Sequence, residues 1–163
     1  MAEIGSFAER RIYRLLDPHT SGLPAFLAVD PGLDSGLMLA QYQAAALVAE
    51  SRVLSHPASV DSIPTSAGQE DHVSMGATAA YKARQVWDNT VHIVALEFLC
   101  AARGLDCQRP LTAAPAVEAA WAVVRNLSAP LTGDRVLAGD VARLAAAVRH
   151  GKLVGGSGGP VAS

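Results

Sequence analysis

The run Ser66-Ala67-Gly68-Gln69-Glu70-Asp71-His72-Val73-Ser74-Met75-Gly76 places an amide, two carboxylates and an imidazole in four consecutive positions. Polar density of this kind marks a candidate site centred on Glu70, whose carboxylate can accept a hydrogen bond from an N–H donor or act as a base. The same residues also have a purely structural reading. Ser66 followed three residues on by Gln69 has the spacing of a capping box, and Glu70 with Asp71 would then sit in the first helical turn, against the positive end of the helix dipole. Capping does not require Gln, Glu and His together. A helix start favours the ionised carboxylate, which suits hydrogen bonding and weakens a general base.

His72, read as a helical residue, fits a packed or hydrogen-bonded role better than a catalytic one. His19, His56, His92 and His150 have no acidic or cysteine partners at ligand spacing, so the sequence indicates no metal site. Cys100 and Cys107, the only two cysteines, form neither a disulfide framework nor a CxxC pair, and both are expected to be reduced, with Cys100 on a buried helix face.

Composition limits what surrounds this cluster. A chain of 163 residues can bury one substantial core, and its length favours a single domain. Hydrophobic residues make up 50% and aromatics only 5%, with a mean hydropathy of +0.24, so small Ala and Val side chains supply much of the apolar character and close helix packing follows. A net charge of -2 gives no basic excess to neutralise phosphates, which argues against nucleic-acid binding. No apolar run is long enough to span a bilayer, and Glu3, Glu9, Arg10 and Arg11 interrupt the stretch where a signal peptide needs an apolar core, so a cytoplasmic location is expected.

The pattern along the chain is helical, with almost no strand signal. Residues 7–16 read as a short amphipathic helix ending at Asp17-Pro18. Prolines and glycines impose turns from His19 to Gly32, although Ala25-Phe26-Leu27-Ala28-Val29 is apolar enough to bury, and the segment reads as a packed loop with room for a short extended piece. A helix is expected over 33–54, then a loop over 55–68 carrying Pro57 and Pro64, then a helix of some thirty residues from Gln69 to Gly104, about 45 Å long at 1.5 Å per residue. Pro110 and Pro115 open a smaller unit with helices at 116–127 and 139–150. The division expected is a long-helix segment over 1–109, a small C-terminal helical unit over 110–154, and a Gly- and Ser-rich tail over 155–163 that is disordered.

The stretches Gly32-Leu33-Asp34-Ser35-Gly36, Ala40-Gln41, Ala44-Ala45-Ala46-Leu47, His56 to Ser66 and Gln69 to Gly76 resemble the C-terminal part of histidine ammonia-lyase. Glu9-Arg10-Arg11-Ile12 and Leu16-Asp17-Pro18 fit as well, and the likeness runs from Gly5 to about Leu153. It implies an all-α, long-helix bundle from a tetrameric lyase of the aromatic amino-acid ammonia-lyase superfamily, which releases ammonia from L-histidine to give trans-urocanate. Family members build an electrophilic methylideneimidazolone from an internal Ala-Ser-Gly tripeptide and combine residues from several subunits at each active site. The β-proton is weakly acidic and ammonia leaves poorly, which is why both an electrophile and a positioned base are needed.

By this resemblance Glu70 matches the glutamate near the substrate side chain, as catalytic and substrate-binding residue, and Gln69 its substrate-binding neighbour. Asp71 and His72 would stand behind them. Imidazole recognition by Glu70 is favoured over proton abstraction.

The departures are as informative as the matches. No Ala-Ser-Gly occurs: Thr20-Ser21-Gly22 falls in the family's Ser-Gly-Leu-Pro loop, and Ser66-Ala67-Gly68 has the wrong order. Gly68 replaces the usual asparagine, Asp34 stands where asparagine is common, and Leu37 where phenylalanine is common. The chain is therefore expected to hold no cofactor and to lend Glu70 to an active site completed by a large chain or N-terminal part carrying the electrophile. The alternative is a non-catalytic structural remnant of the same family. A helix shaped for a tetramer core would leave a contiguous apolar patch on the isolated chain, implying self-association or a partner.

Overall fold

In a computed structural model of the chain, residues 1–153 are described, and the expected disordered tail at 155–163 lies outside them. Six α-helices follow in order: α1 (Ala2–Leu16), α2 (Pro18–Ser21), α3 (Met38–Leu54), α4 (Gly76–Cys107), α5 (Pro115–Leu127) and α6 (Ala138–Arg149), with no strand among the described residues. The all-α reading holds.

α4 is the element against which the others pack. It runs 32 residues, about 48 Å, and contacts α1, α3, α5 and α6. Its buried residues begin at Val86 and continue through Val91, Ile93, Leu96, Leu99 and Cys100 to Gly104. α1 lays Ala8, Ile12 and Leu16 onto it at four-residue spacing, and Gly5 admits the close approach of Ile93, whose Cδ1 would lie 3.0 Å from an added Cβ. α3 presents Ala40, Ala44 and Val48 in the same register, and α6 contributes Val141, Leu144 and Ala145. Each fully buried Ile or Leu here contributes roughly 2 kcal/mol.

Polar contacts fix the seams. Arg11 of α1 grips Glu97 of α4 with two guanidinium nitrogens. Glu9, buried at 3% exposure, accepts from Arg10 at 2.6 and 2.7 Å and from Gln41 of α3 at 2.9 Å. Burial works to raise its pKa, yet those hydrogen bonds and the charges of Arg10 and Arg52 hold it below the ordinary value. Asp106 ties α4 to α5 by accepting from Trp121 Nε1 at 2.8 Å and pairing with Arg125 at 2.9 Å. Asp140 of α6 gathers Arg135, Arg143 and the Ser128 hydroxyl; against the effect of burial, these partners keep its carboxyl below the usual range.

Several expected boundaries move. α1 begins at Ala2 rather than near Phe7, and α3 begins at Met38 rather than Leu33. Residues 33–36 instead close a turn in which Leu33 and Asp34 N–H groups donate to the Asp30 carbonyl, while Asp134 accepts from the Ser35 and Gly36 amides at 2.8 and 2.9 Å. Ala25–Leu27 is a 3-10 turn, not an extended piece, and buries Leu27 and Ala28. α4 starts seven residues after the expected Gln69, and it passes through Gly104 to Cys107, because Leu15 and Leu23 methyls pack where that glycine lacks a side chain.

Gly36 is required by its surroundings: its φ is +57°, and a Cβ would lie 2.6 Å from the Phe26 carbonyl oxygen and 2.8 Å from Ala28 Cα. Gly36→Ala is expected to cost about 2–3 kcal/mol in denaturant unfolding, whereas Gly133→Ala, with nothing within 4 Å, stays within about 0.5 kcal/mol. Because the folded pKa of Asp140 is depressed, its contribution is complete above the unfolded value of about 3.9 and is lost as pH falls through the folded one. Asp140→Asn is expected to lower stability at pH 7 by about 2 kcal/mol and to flatten the loss of stability below about pH 4, read from unfolding curves at each pH.

Candidate functional site

The chemistry-bearing cluster sits on the connection between α3 and α4, residues 55–75, and not on a helix. The expected capping box does not form. Ser66 and Ala67 have φ of 53° and 54° and Gly68 has 86°, so three successive residues are left-handed where a helix N-terminus needs right-handed backbone.

Their amides find other partners. Gly68 donates to the Thr65 carbonyl at 3.1 Å and Gln69 to Ser66 at 3.1 Å; Thr65 and Glu70 then exchange both backbone bonds, at 2.7 and 3.2 Å. A tight loop results, closed across its base by the Thr65–Glu70 pair. Two non-glycine residues in the left-handed region cost roughly 1–2 kcal/mol each, so four backbone hydrogen bonds are concentrated on a segment that local preference disfavours.

α4 opens at Gly76, preceded by Met75 at φ 52°. Glu70, Asp71 and His72 therefore precede the helix, and its macrodipole, which acts over the first turn, does not favour the Glu70 carboxylate as the capping reading required. His72 is likewise a loop residue and not a helical one.

Gln69, Glu70, Asp71 and His72 are all exposed, and none makes a side-chain hydrogen bond or ion pair among the described residues. The structure thus gathers these four side chains on one loop without pairing them to each other or to another part of the chain. What it offers is a carboxylate and an amide with their hydrogen-bonding capacity unspent.

Three contacts that sequence reading missed shape this loop, and one of them ties it to α4. The Ser62 hydroxyl accepts from the Val73 amide at 2.7 Å, and Lys82 of α4 donates to the His56 carbonyl. Thr65 supplies the backbone half of the inner pair. Only Pro64, which biases its predecessor toward extended backbone, hinted locally at such an arrangement. A cleft of about 530 Å³ at the root of the connection is lined by Glu3, Leu54, His56, Lys82 and Val86, among others, and not by residues 69–72.

Elsewhere the titratable groups are structural. The Cys100 thiol is pushed up to about 12 by burial and by the Glu97 charge, which leaves it unreactive; its buried position on α4 is the expected one. Among the described residues no three His, Cys, Asp or Glu side chains are gathered as a metal site would need, and no helix is long and apolar enough to cross a membrane.

Comparison with known proteins places these elements in a family. The family described as aromatic amino acid lyase matches residues 1–126. Histidine ammonia-lyase of Symbiobacterium thermophilum is 59% identical over 154 residues, and that of Deinococcus radiodurans 54%, each alignment covering 94% of this chain. The chain spans only about 30% of the length of these relatives. The crystal structure of histidine ammonia-lyase from Trypanosoma cruzi matches with a TM-score of 0.89 at 48% identity, over 93% of this chain and 30% of that one. Tyrosine aminomutase from Streptomyces globisporus matches with 0.88 at 42%, over 93% and 29%.

The left-handed backbone at position 68 accounts for the glycine there, and asparagine is among the side chains that best tolerate the same region. Gly68→Asn is expected to leave the loop intact. Gly68→Val puts a β-branched residue at φ +86°, strained although nothing lies within 4 Å of an added Cβ, and should speed hydrogen exchange at the Glu70 amide about tenfold.

Proposed function

The chain belongs to the aromatic amino acid lyase family, and we propose that it serves as the C-terminal portion or small subunit of a histidine ammonia-lyase-like enzyme, lending Glu70 to an active site that another polypeptide completes. The observation that carries this reading is the exposed, unpartnered Gln69-Glu70 pair, held on a loop whose strained backbone is tied down by hydrogen bonds. Local strain maintained at an exposed polar loop has no evident value for the stability of this chain by itself.

The methylideneimidazolone does not fit this chain, because the sequence contains no Ala-Ser-Gly from which to make it. The electrophile would belong to the partner. This chain's part is recognition: the Glu70 carboxylate accepts a hydrogen bond from an imidazole N–H of L-histidine, and the Gln69 amide offers a donor and an acceptor beside it. Docking would remove water from the loop and strengthen that charged hydrogen bond, so recognition and assembly are coupled. Asp71 and His72 stand next to the pair in the chain and would shape its surroundings.

The surface is consistent with a partner. Ile4 and Phe7 on α1, Leu39 and Tyr42 on α3, and Tyr81 on α4 are large apolar or aromatic side chains left exposed, and we take them as covered in an oligomer. A non-catalytic remnant is the second reading, toward which Leu37 leans, standing where the resemblance makes phenylalanine common. Gly68 does not add to it, since its left-handed backbone is one that asparagine also adopts.

Mixing the purified chain with a polypeptide that carries the Ala-Ser-Gly tripeptide, and following urocanate absorbance with L-histidine, separates the two. Neither chain alone should be active and the mixture should be; Glu70→Gln should lower kcat/KM of the mixture by about 10- to 100-fold. Activity from this chain alone, or an unaffected Gln variant, overturns the proposal, and a stable but inactive complex establishes the remnant.

A further inference from the structure

Two closures of different kind hold the loop that carries Glu70. The inner one is the reciprocal backbone pair of Thr65 with Glu70, which sets the internal shape of residues 65–70. It does not set how that hairpin-like unit is aimed, because Thr65 and Glu70 move together. The outer closure is the bond from the Val73 amide to the Ser62 hydroxyl at 2.7 Å. Among the described residues it is the only side-chain bond joining the two limbs of the loop. Ser62 and Val73 are half-buried, whereas Ile63 to Asp71 are exposed throughout, so the segment between the two ends of the clasp adds no buried side chain to it.

Val73 lies three residues before the first residue of α4, and the limb ending at Ser62 is tied to the same helix through Lys82 and the His56 carbonyl. Both ends of the clasp are therefore referred to one rigid element.

We propose that Ser62 is the positioning residue for the Glu70 carboxylate: its hydroxyl fixes the orientation of the loop relative to α4, and so where the carboxylate stands when a partner docks. This rests on the reading of Glu70 as a substrate-binding group. The residue touches neither Glu70 nor substrate and acts only through the chain between them. A misplacement of about 1 Å in such a group costs up to roughly a hundredfold in rate, which is far more than one exposed hydrogen bond contributes to stability. Loss of the Ser62 hydroxyl should accordingly separate function from folding.

The test uses the full chain with Ser62→Ala and Ser62→Thr, the latter restoring the hydroxyl on extended backbone that accepts a β-branched residue. In the chain alone, Ser62→Ala should speed amide hydrogen exchange at Val73 about tenfold, leaving the inner Thr65–Glu70 pair formed, while the thermal midpoint stays within a degree or so; Ser62→Thr should restore slow exchange. In the mixture with the tripeptide-bearing polypeptide, Ser62→Ala should raise KM for L-histidine and lower kcat together, each by about three- to tenfold, with Thr again restoring them. Unchanged exchange at Val73 in the Ala variant overturns the clasp. Faster exchange with unchanged kinetics in an active mixture overturns the positioning role. If the wild-type mixture forms but is inactive, the reading of Glu70 fails separately, and the exchange comparison still decides whether Ser62 sets the loop.

Discussion

Burial of one face of α4 from Val86 onward is the constraint on which the rest of the structure depends. Ile93, Leu96 and Leu99 are covered at once by α1, α3 and α6, so the helix cannot slide or rotate without uncovering all of them. Its first ten residues, 76–85, contain no buried side chain, yet they continue the same rigid rod. A helix anchored over two thirds of its length thus carries the remainder, and the loop before it, to a defined place outside the core. The position of Glu70 is set by packing some 20 Å or more further along.

Small residues make that anchorage possible. Gly5, Ala8, Ala40, Ala44, Ala95, Ala102 and Gly104 lie where helices meet, and this explains how a chain with only 5% aromatics can still bury its apolar content. Close backbone approach substitutes for bulky side chains, and ion pairs such as Arg11 with Glu97 and Arg125 with Asp106 set the register between surfaces that small residues leave smooth. Packing of this type is intolerant of added volume at a few glycines and indifferent at others, as the contrast between Gly36 and Gly133 illustrates.

The loop obeys different physics from the core. It gains little from hydrophobic burial and holds a disfavoured backbone by hydrogen bonds alone, with its polar side chains turned outward. That combination adds little to the stability of a chain that spans about 30% of its relatives' length, and under the proposed function another surface would complete it. Phe7, Leu39, Tyr42 and Tyr81 likewise leave large apolar or aromatic surface exposed.

What the sequence determined by itself was the helical class, the existence of a long central helix, the buried face bearing Cys100, and the family, because periodic apolar spacing and long motifs are local properties. Ala40, Ala44 and Val48 could be read as a buried stripe from spacing alone. The tertiary structure decided where α3 and α4 begin, and with them the setting of Glu70. A capping-box spacing at Ser66 and Gln69 was overruled by left-handed backbone at 66–68 and by the Thr65–Glu70 and Ser62–Val73 bonds. Those partners lie 5 and 11 residues apart and satisfy amides that a helix would otherwise have claimed; no local propensity encodes that exchange, which arises only when both limbs are tied to α4.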